Sequence, residues 1–365
     1  MLACPDCLPC LARNAVELAR RSARGDAALE AHIASEGMRI LADAAADGFA
    51  LPPPCYARRL IDNALASCGG AVPDPWAKEK ADSTELAKRL MKRMDCDGFE
   101  RSLRLSIAGN ILDFSIYADL DIAAAMAKMD EAFTKPICGA SLVLPPSERG
   151  VAQSAGGSTP CAAVINTETQ RHRDTEVPLE ARDRSVSPRL CASVLKPCAE
   201  SAAAAAPSAA SLLAALRHAM DSARSILWIF DNCGEAVFDR PLMEPYRAKV
   251  TLAVRGRPAF NDMTRAELAA SGYPEGWAGG GIVSNDDGVP GVVDATCGEV
   301  FSAAFAAADL VVAKGQANFE TMNERGDKPI AFLFLAKCPV VCRAIGAESG
   351  TIQVRLHNVS ENRFE

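Results

Sequence analysis

Aromatic side chains are scarce in this sequence. Phe, Trp and Tyr make up 5% of 365 residues, with three Trp and four Tyr among them. That leaves little material for the stacking platforms that hold single-stranded nucleic acid. A basic excess is missing as well: 39 Lys and Arg face 46 Asp and Glu, a net charge of -7, whereas a nucleic-acid partner calls for a basic face. No apolar run is long enough to span a bilayer. The N-terminus, "MLACPDCLPCLARNAVELARR", lacks the charged segment and apolar segment that mark a secretory leader. Cysteine is plentiful, at fourteen residues, but it is scattered through a large chain. That pattern fits reduced thiols better than the disulfide scaffold of a small secreted domain. The expectation is a mildly acidic cytoplasmic protein with no nucleic-acid or membrane partner. Its 49% hydrophobic content is enough for one large domain or two ordinary ones.

The composition changes twice along the chain. From Ala12 to about Phe133, stretches such as "LARNAVELARRSA" and "LEAHIASEGMRILADAAA" place apolar residues at helical spacing. "DSTELAKRLMKRM" opens on Asp82 or Ser83 as an N-cap. Residues 135–210 are rich in Pro, Ser and Ala, without sustained periodicity, and read as an insertion or linker. From Leu212 onward four short apolar runs appear: Ile226–Phe230, Val250–Val254, Leu310–Ala313 and Ile330–Leu335. Runs that are continuous rather than alternating suit strands covered on both faces, as in a parallel sheet with helical crossovers. The organisation expected is a helical domain at 1–134, the linker at 135–210 and an α/β domain at 211–365. The fold class is α/β: a Rossmann-like parallel sheet flanked by helices, with an all-helical N-terminal domain.

Ligands of open parallel sheets bind beyond the carboxyl ends of the strands, and each of the four runs ends on polar chemistry. The first gives Asp231 and Asn232. The second gives Arg255, then Asn261 and Asp262. The third gives Lys314, Gly315, Gln316 and Asn318, and the fourth gives Lys337. Hard cations such as magnesium or manganese take oxygen ligands, which Asp231, Asn232 and Asp262 could supply. Lys314 and Lys337 add positive charge suited to a phosphate. Gly315 lets backbone N–H groups approach an anion, and a helix starting near Ala317 would point its positive end there. Singly, each feature has a plainer explanation. An Asp-Asn pair often caps a helix, Asp262 and Thr264 could cap "TRAELAAS", and "KGQAN" lacks the Gly-Lys-Ser/Thr ending of a Walker loop. It is the coincidence at four successive strand ends that points to a site for metal and phosphate.

Several motifs in order resemble those of the metal-dependent damage-control phosphatases, a family related to acidic residue methyltransferase-like proteins. They are "DPWAKEKADSTELAKRL", "AGNILDF", "DNCGEAVFD", "VRGRPAFNDMT", "DLVVAKGQANFET" and "FLAKCPVV". The resemblance implies a helical domain packed on a Rossmann-like sheet. It implies hydrolysis of phosphomonoesters of small metabolites, such as sugar phosphates or phosphopantetheine-like compounds, with a divalent ion: Mn2+, Co2+, Ni2+ or Mg2+. It makes Asp231, Asn232 and Asp262 the metal ligands, and Asp231, Asp262 and Lys337 the catalytic set. Lys337 is also similar to the family's phosphate-binding lysine. Asp309, Lys314, Gly315 and Asn318 fall in its substrate-binding segment, and Asn110 lies near the cleft. Glu235 belongs to the same motif as Asp231 without an assigned role. The attacking group would be a metal-activated water or the Asp231 carboxylate.

Cys233 stands where the family more often has Ala. It also stands where a haloacid dehalogenase-type phosphatase would have its second Asp. Carboxyl methyl transfer would want a Gly-rich loop before Asp231, and none is there. A non-catalytic sugar-phosphate-binding or regulatory module is the remaining alternative. "SNDDGVPG", Ser284 to Gly291, could be a lid or a solvated turn. Cys4, Cys7 and Cys10 of "CPDCLPC" resemble a motif of the family's microbial branch. Asn14 takes the place of a fourth iron–sulfur ligand, so these cysteines read either as packing at the start of the first helix or as part of a metal site completed from elsewhere.

Overall fold

A computed structural model of the chain describes residues 1–69, 74–112, 122–142 and 207–359. Three helices, α1 (Leu8–Ala23), α2 (Ala27–Ala46) and α3 (Pro53–Ser67), open the chain. Leu11, Ala15 and Leu18 recur at helical spacing along α1 and meet Ile33, Leu41, Leu60 and Ile61 in a common core. Asp26 caps α2, accepting from the N–H groups of Ala28 and Leu29 at 3.0 Å each. Next come α4 (Ala77–Met91), α5 (Phe99–Ala108) and α6 (Ile122–Thr134). Here α4 begins at Ala77, so Asp82 and Ser83 sit inside the helix and cap nothing. Ser83 donates instead to the carbonyl of Lys80 at 3.0 Å.

The remaining elements are β1 (Ile137–Leu142), α7 (Ala209–Ser222), β2 (Ile226–Ile229), α8 (Cys233–Met243), β3 (Val250–Val254), β4 (Ile282–Ser284) and α9 (Glu299–Ala307), followed by β5 (Leu310–Lys314), α10 (Gln316–Met322), β6 (Ile330–Leu335), α11 (Pro339–Ile345) and β7 (Ile352–His357). The strands form a seven-stranded sheet in the order β1-β7-β6-β5-β2-β3-β4. All neighbours are parallel except β6 and β7. The four apolar runs are β2, β3, β5 and β6, as expected. Ile137–Leu142, inside the stretch expected as a linker, pair with β7 as β1. Residues 143–206 of that stretch lie outside the described residues.

Both faces of the sheet are covered, and β2 shows how. Ile226, Trp228 and Phe230 join the core shared with α4 to α8, while Leu227 and Ile229 join the core beneath α9 to α11. The period-two alternation is present, but both sides are apolar, which is why the sequence shows an unbroken run. Two halves of the helical region therefore do different work. Helices α1–α3 have their own core, whereas α4–α6 contribute to the covering layer of the sheet.

At the end of β7, His357 is buried against the Phe332 ring, with centroids 5.0 Å apart. Among the described residues, neither ring nitrogen has a hydrogen-bond partner. Burial, aided by Arg355, lowers its pKa from 6.5 to about 4. Folding favours the neutral ring, so its contribution to stability is complete above pH 6.5 and is lost as pH falls toward 4. His357→Leu is expected to flatten the fall in urea midpoint between pH 6.5 and 4. An unchanged slope would contradict this assignment.

Candidate functional site

The sheet order places β2 between β5 and β3, so the chain runs outward from β2 one way and returns past it to build the other side. That reversal makes the carboxyl ends of β2 and β5 a topological switch point, where open α/β sheets bind ligands. Asp231 follows β2 by two residues, and Gly315 follows β5 directly.

The loop after β3 folds back onto the end of β2. Asn232 and Asp262 form an antiparallel bridge. The Met263 N–H donates to the Asp231 carbonyl at 2.8 Å, and the Cys233 N–H donates to the Asn261 carbonyl at 3.0 Å. Residues 28 to 32 positions apart are thus fixed side by side by main-chain bonds. Asn232 occupies the N-cap position of α8 but makes no capping bond with its side chain. Its amide turns to the Asp231 carboxylate at 2.9 Å. Thr264, not Asp262, caps the turn Arg265–Glu267, in a capping box with Glu267. The helix expected over "TRAELAAS" is only this short 3-10 turn. Asp262 instead accepts from Arg255 Nε at 2.7 Å, and both side chains are buried.

Asp231 is set with unusual closeness. Its Oδ2 accepts from Asn110 Nδ2 at 2.9 Å, which brings the end of α5 into the site. A Cβ built on Gly315 would fall 2.0 Å from Asp231 Oδ2 and 2.6 Å from Oδ1, and the glycine has φ +80°. Only glycine meets both conditions at once. The Asp231 carboxylate therefore lies directly against the backbone of the turn between β5 and α10. With Asp262 and Asn232, which the main-chain bridge joins, it offers hard oxygen donors of the kind magnesium and manganese take. Among the described residues no three His, Cys, Asp or Glu side chains could hold a metal together. The third donor here is an amide, so an ion would complete its shell with water or a phosphate oxygen.

Behind the rim lies a buried charge network. Lys314 is fully buried, and its Nζ donates to Glu235 at 2.5 Å, to Asp239 at 2.7 Å and to the Ser106 carbonyl at 2.9 Å. Glu235 and Asp239 are four residues apart on α8 and so share one helical face. Burial opposes the Lys314 ammonium, but Asp239 and Glu235 outweigh it and raise its pKa above the ordinary value. Burial likewise pushes Asp239 up to about 6, against the pull of Lys314. Glu235 Oε2 accepts from Asn110 Nδ2 at 2.6 Å. A continuous chain therefore runs from Lys314 through Glu235 and Asn110 to Asp231. Glu235 orients the amide that meets the carboxylate, a role its place in the motif did not reveal.

The other expected site residues separate clearly. Lys337 is half-buried at the rim after β6, and its Nζ donates to the Asn110 carbonyl at 3.0 Å. Asn110 and Lys337 are therefore brought together with Asp231. Lys314 faces the buried carboxylates and not an open cleft. Asn318 is fully buried, donating to the carbonyls of Phe230 and Lys314 and accepting from Arg255 at 3.2 Å. It ties α10 to the guanidinium that holds Asp262. Asp309 precedes β5, so it lies at the opposite end of the strand from Gly315, where it accepts from Arg224. The segment Ser284–Gly291 is not a solvated turn. Asn285, Asp287 and Val289 are buried, and the Gly291 carbonyl accepts from Arg255 at 2.7 Å. Cys4 and Cys7 pack at the start of the helical core, Cys10 is exposed, and every described cysteine is a free thiol. No described helix is long and apolar enough to cross a membrane.

The chain is similar to known proteins in both sequence and fold. A damage-control phosphatase of Pyrococcus horikoshii is 38% identical over 134 residues, 36% of this chain and 46% of that protein. A damage-control phosphatase of Archaeoglobus fulgidus is 33% identical over 138 residues, 37% of this chain and 47% of its own. An uncharacterized protein of Methanocaldococcus jannaschii is 35% identical over 133 residues, 35% of this chain and 43% of its own. The chain thus spans less than half the length of the curated relatives it matches. A crystal structure of a DUF89 family protein from Pyrococcus horikoshii superposes with a TM-score of 0.68. It covers 97% of this chain and 98% of its own at 22% identity, a likeness of fold. The model of the damage-control phosphatase ARMT1-like domain matches residues 3–142 and 199–352. The chain belongs to the damage-control phosphatase ARMT1-like domain family.

Proposed function

We propose that this protein is a divalent-metal-dependent phosphomonoesterase that removes phosphate from small phosphorylated metabolites in metabolite damage control. The observation that carries the proposal is the main-chain bridge joining Asn232 to Asp262, next to Asp231 in the chain, with the Asp231 carboxylate seated against the backbone of Gly315. Membership of the damage-control phosphatase family supports the same reaction class.

Asp231, Asn232 and Asp262 would hold the ion, which when bound supplies a Lewis acid to a phosphate oxygen. Asn110, oriented by Glu235, holds the Asp231 carboxylate in place. Arg255, held by Asn318 and Gly291, does the same for Asp262. Lys337 presents a positive charge at the mouth of the site, where charge builds on the transferring phosphoryl group. The nucleophile is either water or the Asp231 carboxylate. Acid-quenching a turnover of labelled substrate separates the two, since only the second leaves label on Asp231.

The test is phosphate release from a panel of sugar phosphates and phosphopantetheine-like compounds, with and without Mn2+, Co2+, Ni2+ or Mg2+. The expected result is turnover of at least one member that a chelator abolishes and an added ion restores. Turnover unaffected by chelation would overturn the metal's part, and no turnover of any phosphomonoester would overturn the reaction class. Gly315→Ala should lower phosphate release by about 100-fold or more, because the added methyl would stand where the Asp231 carboxylate now lies and would displace it. Left-handed strain should cost about 1 kcal/mol of stability besides. Wild-type turnover in that variant would show that the seat of the Asp231 carboxylate against Gly315 is not needed.

A further inference from the structure

The cysteines of "CPDCLPC" take no part in the site described above, and their geometry fits a chemistry of its own. Cys4 and Cys7 flank a single turn. The Cys7 N–H donates to the Cys4 carbonyl at 2.8 Å, and Pro5 opens the 3-10 helix between them. A turn closed in this way keeps the first and fourth Cα atoms within about 7 Å. A disulfide asks for Cα atoms about 4.4–6.8 Å apart. The two sulfurs already lie 3.9 Å apart, so side-chain rotation, with little backbone movement, brings them to bonding distance. Cys10 differs from both: it is exposed, and its sulfur accepts from Arg13 Nη2 at 3.9 Å.

We propose that Cys4 and Cys7 are a reversible dithiol–disulfide site. Cys4, the half-buried member, meets the oxidant, a small disulfide. Its thiolate attacks one sulfur of that molecule, and the other sulfur leaves as a thiolate. The buried Cys7, whose thiol burial pushes up to about 12, stays protonated until this mixed disulfide forms beside it. Cys7 Sγ then attacks Cys4 Sγ and expels the second small thiolate, which takes up the Cys7 proton. One sulfur–sulfur bond is broken and one is made. Two electrons pass from the protein pair to the small disulfide, which leaves as two thiols.

The surroundings keep the turn in place for both states. The Met1 ammonium donates to the Glu320 carbonyl at 2.7 Å, and the Ala3 N–H donates to the Leu51 carbonyl at 3.0 Å. Asp6 pairs with Arg343 of α11. The pair is therefore held by contacts that oxidation does not need to break.

The test is to equilibrate the full chain in buffers of reduced and oxidised glutathione, quench with acid, alkylate the remaining thiols and map the peptides by mass. The expected result is an intramolecular Cys4–Cys7 bond, two hydrogen masses lighter than the dithiol and reversed by dithiothreitol. Cys10 should instead carry a glutathione adduct. Cys4→Ser should leave Cys7 alkylatable at every poise that oxidises the wild type. Three outcomes would overturn the proposal: Cys4 and Cys7 both remaining reduced while Cys10 is modified, Cys10 or Cys338, which packs against the same helical core, appearing as the partner of Cys4, or Cys7 of the Cys4→Ser variant taking glutathione as readily as Cys10. None of these readouts depends on phosphate release.

Discussion

Asp231→Ala is expected to lower metal-dependent phosphate release by at least about 1000-fold, a loss of roughly 4 kcal/mol in transition-state stabilisation, while the chain stays folded. Both halves of the expectation follow from the contacts of this residue. Asp231 is the carboxylate on which the rim converges. Asn110 and Asn232 donate to it, and the missing side chain of Gly315 makes room for it. Removing it takes away one of the two carboxylates in the proposed donor set. The folding cost is limited, because both amides keep Glu235 as a second acceptor, at 2.6 Å from Asn110 and 3.5 Å from Asn232. Circular dichroism and urea unfolding check the fold, and phosphate release checks the site. Turnover within tenfold of wild type in a folded variant would refute the role given to Asp231.

Lys314→Met should have the largest effect on stability, and it separates a buried structural lysine from a phosphate ligand. In the native protein the ammonium neutralises Glu235 and Asp239, each 1% exposed. Removing it leaves two buried carboxylates without a cation, which costs about 3–5 kcal/mol. That is a large fraction of the 5–15 kcal/mol typical of a folded domain. The variant's deficit should shrink as pH falls toward 5. With the cation gone, the Asp239 carboxylate, which burial already raises to about 6, loses the partner that lowers it, so protonation favours the folded form. Adding Glu235→Gln and Asp239→Asn to Lys314→Met should recover much of the loss. If Lys314→Met were as stable as wild type and only weakened substrate binding, the lysine would face the ligand after all.

These two residues also show what the sequence makes legible. Asp231 is visible because β2, β3, β5 and β6 are buried on both faces and so appear as unbroken apolar runs. Any polar residue that ends such a run stands out. Lys314 ends a run equally abruptly, but strand position does not say which way a side chain turns. The signal that could have placed it is the i, i+4 pair Glu235 and Asp239, whose shared face needs a cation. Asp309 falls in the segment that the resemblance implies for substrate binding, yet the strand between it and Gly315 carries it to the far edge of the sheet.

The elements missing from the sequence-based expectation are missing for physical reasons. β4 is three residues long and half-buried throughout. β1 is an edge strand with a mixed burial pattern in a stretch dominated by Pro, Ser and Ala. β7 alternates apolar residues with Gln353, Arg355 and His357, a pattern weaker than the runs beside it. Asn232 and Thr264 show the same limit at the scale of one residue. Both looked equally like caps, and only the fold shows that Thr264 takes the capping role while the amide of Asn232 turns to Asp231.

The most direct measurement of the central claim is calorimetric titration of Mn2+ into the metal-free chain and into its Asp231→Ala and Asp262→Ala variants. The expected result is one ion bound per chain, with binding lost or weakened at least 100-fold in each variant while the fold persists. Undiminished Mn2+ binding in either folded variant would mean that the two carboxylates do not share an ion.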